Sequence, residues 1–264
     1  MKKERTMNRI ANILLALLIV SSCSVKEDRA DCPCWLLMFV EDNTKICKSM
    51  TFTAWTTGKE KEEEIDLVKN PETYETTVPK GFITTCLYTG ITRGEIIENE
   101  YHIKLGNDAD SLYSYSKIVD CTRETARDTV ILKKNFTRVY LKAAAVEGEE
   151  YPYSLVVKSD ICGTDLITDE PISGKFEKKL KLDNGYMTVF ALPRQAADDY
   201  SLVIEIYKNN EIVYTVPLGE QIHELEYNWE EINLKDIYLG VDYAEASVEV
   251  SIQGWKSDKF LITI

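Results

Sequence analysis

Near the C-terminus Ala246, Val248, Val250 and Ile252 alternate with Ser247, Glu249, Ser251 and Gln253. Successive side chains of an extended chain point to opposite faces, so this stretch has one dry face and one wet face. Half-buried antiparallel strands look like this. Short β-rich runs between turn signals fill most of the chain, at 36–40, 51–57, 73–78, 82–89, 129–133 and 136–146. Runs of that length and spacing are the pattern of sandwiches. Asp183-Asn184-Gly185, between Leu180 and Leu182 on one side and 186–191 on the other, predicts a hairpin, because Asn-Gly tolerates the positive φ of a tight turn. Asn209-Asn210, between 200–207 and 212–216, predicts a second, with Leu202, Ile204 and Ile206 on one face. Only 219–225 reads as helical, and 107–111 reads as loop. The polar break at Lys134-Asn135 sets a domain boundary. The expected fold is all-β, two antiparallel β-sandwich domains over 35–134 and 135–264.

The first residues stand apart from that pattern. Lys2, Lys3 and Arg5 precede an apolar run over 10–20 that stops at Val20-Ser21-Ser22-Cys23. A charged start, a short apolar middle and small residues before a cut make a secretory signal. A cysteine directly after the cut makes it a lipoprotein signal, with a thiol that a lipid can alkylate. Spanning a bilayer takes ~20 apolar residues, so the run is too short for a transmembrane anchor. The expectation is a signal peptide over 1–22, lipidation at Cys23 by palmitate-like acyl chains, and a tether over 23–34. Each buried methylene contributes ~0.8 kcal/mol, so two or three chains hold permanently where one holds reversibly. Lys26-Glu27-Asp28 resembles the lysine-then-acidic signal that sends some Bacteroidetes lipoproteins to the cell surface. The chain is therefore expected at the outer membrane, lipid-anchored and facing outward, with the periplasmic face as the alternative.

Charge narrows the partners. The whole chain has 31 basic and 44 acidic residues, net −13; losing the leader removes four basic and one acidic, giving −16. Such a surface repels nucleic acid phosphates. With Cys23 used by lipid, Cys32, Cys34, Cys47, Cys86, Cys121 and Cys162 remain. An even number in an oxidising compartment suggests disulfides. Six cysteines allow 15 pairings, and discounting a strained bond across Pro33 leaves twelve open. No nucleophile elbow, phosphate loop or paired metal-ligand motif is present. His102 and His223 read as structural, and Glu60 to Glu64 with Lys59 and Lys61 as a solvated loop. Trp229 beside Glu230 and Glu231 reads as a core tryptophan at a domain edge rather than a sugar platform. Asp110-Ser111-Leu112 and Asp128-Thr129-Val130 fit a three-residue O-glycosylation pattern. The expectation is a protein that is not an enzyme, with no cofactor and no metal.

Two segments carry a family resemblance. Cys23 to Pro33 looks like a lipidated cysteine, acidic spacer and downstream Cys-Pro; Trp229, Leu234-Lys235-Asp236-Ile237 and the run ending Ile252-Gln253-Gly254-Trp255 look like a closing pattern. Together they resemble the FimB-type lipoprotein anchor subunits of Bacteroidales fimbriae, the anchors of type V pili. The resemblance implies two tandem transthyretin-like sandwiches and a role holding a fimbria to the outer membrane. It implies contact with the basal stalk pilin, and a part in limiting fibre length. Stalk pilins of this class join by strand addition, where main-chain hydrogen bonds fix the joint and alternate side chains fill pockets. Phe260, Leu261, Ile262, Thr263 and Ile264 alternate and form the candidate pilin-contact strand. Five residues are a normal strand length, so this segment either closes its own domain or is offered to the pilin. A surface glycan-binding lipoprotein of a polysaccharide-uptake system is the alternative function.

Overall fold

The computed structural model describes residues 32–41, 48–69, 72–144, 151–183, 187–242, 247–252 and 257–261. The first half builds β1 (Cys34–Glu41), β2 (Ser49–Trp55), β3 (Lys59–Asp66), β4 (Thr73–Val78) and β5 (Phe82–Thr89). A small hairpin, β6 (Glu95–Ile97) and β7 (Glu100–His102), precedes β8 (Tyr113–Asp120), β9 (Thr125–Ile131) and β10 (Lys133–Lys134). The second half builds β11 (Phe136–Ala144), β12 (Ser154–Asp165), β13 (Pro171–Leu180), β14 (Met187–Pro193), β15 (Val203–Lys208) and β16 (Glu211–Val216). Helix α1 (Leu218–Glu224) follows, then β17 (Ile237–Asp242), β18 (Ser247–Ile252) and β19 (Ser257–Leu261).

The halves repeat one topology. In the first, β4-β1-β9 form one sheet and β10-β8-β5-β2-β3 the other. In the second, β14-β11-β17-β18-β19 form one sheet, and β16-β15-β12 with β13 alongside form the body of the other. Strands β1, β2, β3, β4, β5, β8 and β9 thus match β11 to β17 in order. Among the described residues the fold is all-β, with one short helix and two sandwiches.

Most pairings are antiparallel, but β1 runs parallel to β9 and β11 parallel to β17. A parallel pair needs a long crossover, and here the crossover is the whole facing sheet. Side-chain alternation reports which face is buried and carries nothing about strand direction, which is why the sequence predicts antiparallel strands throughout.

Each sandwich closes on alternating residues. Leu36, Met38, Phe52, Ile83 and Val130 centre the first core, and Val139, Leu155, Phe176, Ile204 and Val250 the second. The second core also takes Tyr101, Ile103 and Leu112 from the first half. The hairpin β6–β7 explains this, because β7 pairs with the far end of β12, Gly163 opposite His102.

Two local expectations are corrected. Strands β13 and β14 are not a hairpin: β13 pairs with β12 and β14 with β11, in different sheets. Asp183 and Met187 do bridge across that turn, while 184–186 lie outside the described residues. The chain reverses between Asp183 and Met187, but the alternating faces on either side belong to opposite layers. The charge run is also strand, not loop, and forms edge strand β3. Its Lys61 and Glu63 reach inward to Thr76 and Tyr74 of β4 at the open side of the sandwich. Asn209-Asn210 behaves as expected, with φ of 52° and 68° between antiparallel β15 and β16.

Candidate functional site

Cys23 lies outside the described residues. The chain becomes described at exposed Cys32 and enters β1 at buried Cys34. Strand β1 is central in its sheet, antiparallel to β4 with Cys34 opposite Val78, and parallel to β9 with Trp35 opposite Thr125. The Trp35 N–H donates to the Glu124 carbonyl at 2.8 Å. A pull on the start of β1 therefore meets two hydrogen-bonded ladders at once. An edge strand would offer one.

At the other end, Phe260 pairs opposite Val248 and Leu261 opposite Ser247, within the antiparallel β18–β19 ladder. Ile262, Thr263 and Ile264 lie outside the described residues. Strand β19 is last in its sheet, so its outer edge has no strand partner among the described residues.

Between the ends, a buried polar joint ties the halves together. Arg194 is 2% exposed. Its guanidinium donates to the Asn135 Oδ1 at 2.9 Å, to the carbonyls of Lys134 at 2.6 Å and Glu231 at 2.9 Å, and to the Trp229 carbonyl. Burial draws its pKa down to about 10, with Asp169 opposing that fall. Asn135 donates from its amide to Ser114 Oγ at 2.5 Å and Asp169 Oδ1 at 3.2 Å. The Lys133 ammonium pairs with Asp169 at 2.7 Å, and Lys134 with Asp236 at 3.0 Å. The tip between β12 and β13 is thereby held on β8, where the Ser116 hydroxyl also donates to the Ile167 carbonyl. Buried polar groups left unpaired are expensive, so a satisfied network of this kind fixes one arrangement. No local pattern in the sequence marks Arg194 and Asp169 as the partners of Lys134 and Asn135.

The histidines and Trp229 make structural contacts. His102 faces Glu100 at 2.9 Å, and His223 packs edge-on against Tyr200. Trp229 is buried and packs on Tyr227 with ring centroids 4.7 Å apart. Glu231 meets Arg194 through its carbonyl rather than its carboxylate. A groove of about 740 Å³ runs between the halves, lined by Trp55, Lys59, Glu62, Tyr88, Glu98 and Asn99. Its indole N–H is already bonded to Thr53, and the Lys59 ammonium lies 5.9 Å from the ring centroid. Among the described residues no His, Cys, Asp and Glu group could hold a metal ion, and no helix is long and apolar enough to cross a membrane. The Ser111 carbonyl is packed against Gly90, between buried Asp110 and Leu112. Thr129 sits exposed in mid-strand.

No family model and no curated protein sequence matches the chain. Solved structures do match over nearly its whole length. The fimbrial anchor protein Mfa2 from Porphyromonas gingivalis superimposes with a TM-score of 0.62 at 12% identity, covering 85% of this chain and 98% of that one. An adhesin candidate from Bacteroides ovatus gives 0.62 at 12% identity, covering 90% and 97%. A candidate polysaccharide-binding protein from Bacteroides thetaiotaomicron gives 0.60 at 11%, covering 88% and 99%. At these identities the likeness is one of fold, and the fold is that of the FimB- and Mfa2-type proteins.

Proposed function

We propose that this chain is an outer-membrane lipoprotein that anchors a fimbria to the cell surface. Residues 1–22 are removed on export, Cys23 is acylated, and residues 23–34 lead into two sandwich domains divided near residue 134. The observation that carries the reading is the match to a fimbrial anchor's fold over 85% of this chain, joined to a lipoprotein signal in the sequence ahead of a central strand. The acyl chains hold one end, and the edge of β19 with the C-terminal strand meets the basal pilin at the other. An open strand edge presents a row of unpaired N–H and C=O groups, which a partner's strand can complete. The same contact caps the fibre at its base and so bears on its length. The fold neighbours, fimbrial and adhesin proteins, fit a protein without catalytic activity.

Replacing Cys23→Ala tests the anchor. Intact fibres are expected in the medium with the protein still bound to their base; fibres that stay on cells overturn the reading. Deleting residues 256–264 tests the contact strand. Because the deletion also removes β19 from its own sheet, the truncated protein should melt lower while keeping a cooperative transition, and should lose co-purification with sheared fibres. Co-purification that survives in the folded, truncated protein would overturn the contact.

A second reading, a surface glycan-binding lipoprotein, is favoured by the groove with Trp55 and Tyr88 and by the Bacteroides thetaiotaomicron neighbour. Tryptophan fluorescence titrated with polysaccharide fragments separates the two, since a saturable change abolished by Trp55→Ala belongs to the second only.

A further inference from the structure

Two buried thiols meet where the tether joins the first sandwich. Cys34 opens β1, Cys121 directly follows β8, and neither exposes any surface. Strands β1 and β8 belong to opposite sheets, so these side chains approach each other across the core. Backbone bonds hold both in place. The N–H of Trp35 donates to the Glu124 carbonyl at 2.8 Å, and the N–H of Cys121 to the Gly81 carbonyl at 2.8 Å. Cys34 stands opposite Val78 at the end of β4, Cys121 is tied to Gly81 three residues further on, and the two thiols share one apolar cluster. Cys86 belongs to the other core, and Cys162 lies on β12 in the second half.

We propose that in the exported protein Cys34 and Cys121 form a disulfide that staples the two sheets of the first sandwich where the tether enters. Forming it removes two protons and two electrons from the thiols. The acceptor is the disulfide of an envelope thiol–disulfide oxidoreductase, which leaves as a dithiol through a mixed-disulfide exchange. The attacking species is the thiolate. Burial, then the neighbouring Cys34, pushes the Cys121 thiol up to about 12 in the folded chain. Exchange is therefore slow once the core has closed, and the bond is made while the sandwich assembles. A loop closed from residue 34 to residue 121 is long, which is where a cross-link removes most chain entropy from the unfolded state.

The bond needs export only. Its mechanical consequence rests on the anchoring reading: with the staple, β1 cannot leave without drawing on β8, and load from the tether is shared with the five-stranded sheet.

The test exports the full-length chain with its own leader, alkylates it in denaturant before any reduction, and digests it. Peptides containing Cys34 and Cys121 are expected as one linked species, which reductant separates with a gain of two hydrogens. Alkylation of both, or a link from either to another cysteine, overturns the proposal. Thermal melting gives a second readout. Protein unfolded and refolded under dithiothreitol should melt about 5 °C or more below the oxidised form, whereas Cys34→Ala/Cys121→Ala should melt at one temperature in both conditions. A wild-type protein indifferent to the treatment also overturns it. Neither result bears on fibre release by Cys23→Ala, so failure of the staple and failure of the anchor are told apart.

Discussion

Asp110 sits in the loop between β7 and β8 with its side chain wholly buried, a costly place for a carboxylate unless its charge is met. Burial alone would raise its pKa. The N–H groups of Gly94 at 2.8 Å and Arg93 at 3.0 Å and the Thr92 hydroxyl at 2.8 Å outweigh that and hold it at about 2. The Arg93 guanidinium adds an ion pair at 3.2 Å. The folded value lies below the ordinary carboxylate value of 3.8, so the stabilisation is complete above about pH 4 and is lost as pH falls through about 2. It amounts to on the order of 2 kcal/mol. Asp110→Asn keeps one acceptor but turns an amide N–H toward donors. Urea unfolding at pH 7 should show it less stable by about 2 kcal/mol, and the gap from wild type should close as the pH approaches 2. A gap that persists unchanged at low pH would mean that shape, not charge, holds this loop. An Asp in a short polar run reads as solvated, and the amides that neutralise it lie on the far side of a hairpin, so nothing local discloses the role.

Elements show more clearly what local sequence carries. The alternation at 247–252 survives as buried Val248, Val250 and Ile252 on β18, and Asn209-Asn210 makes its hairpin, because both signals depend only on neighbours along one ladder. Asn184-Gly185 misleads because turn chemistry sets a reversal but not the layer the chain re-enters. The crossing of β6–β7 onto β12 is equally silent in the sequence. Its structural mark is Gly163, where an added Cβ would stand 2.0 Å from the Tyr101 carbonyl oxygen. Gly163→Ala must push β7 off β12, at a cost of about 1–3 kcal/mol. The Ile103 N–H, now bonded to the Cys162 carbonyl at 2.8 Å, should lose hydrogen-exchange protection before the rest of the molecule. Gly240→Ala is the control: its Cβ would meet only the Glu249 Cβ, at 3.6 Å, and stability should be unchanged or slightly higher. Equal loss in both variants would assign the effect to backbone propensity rather than to the crossing.

Across the whole molecule, the two sandwiches could behave as beads on a string or as one body, and the joint decides between them. Arg194 offers its donors almost entirely to carbonyls from two separate segments, Lys134 at the boundary and Trp229 and Glu231 beyond α1. Asp169 receives Ser114 from β8, Lys133 from β10 and Asn135 from the boundary. Opening the halves would strand these groups without partners, and an unpaired buried charge is more costly than the pair is stabilising. Calorimetry of the full chain should therefore give one cooperative transition. Arg194→Ala removes the guanidinium donors from the Lys134, Trp229 and Glu231 carbonyls and should destabilise by about 3–5 kcal/mol, splitting the transition in two as the halves lose their common boundary. Arg194→Lys keeps the charge without the planar fork and should recover only part of the loss. If Arg194→Ala still unfolds in a single step, the apolar cluster that β6–β7 carries into the second core is sufficient to couple the halves, and the polar joint sets only their angle.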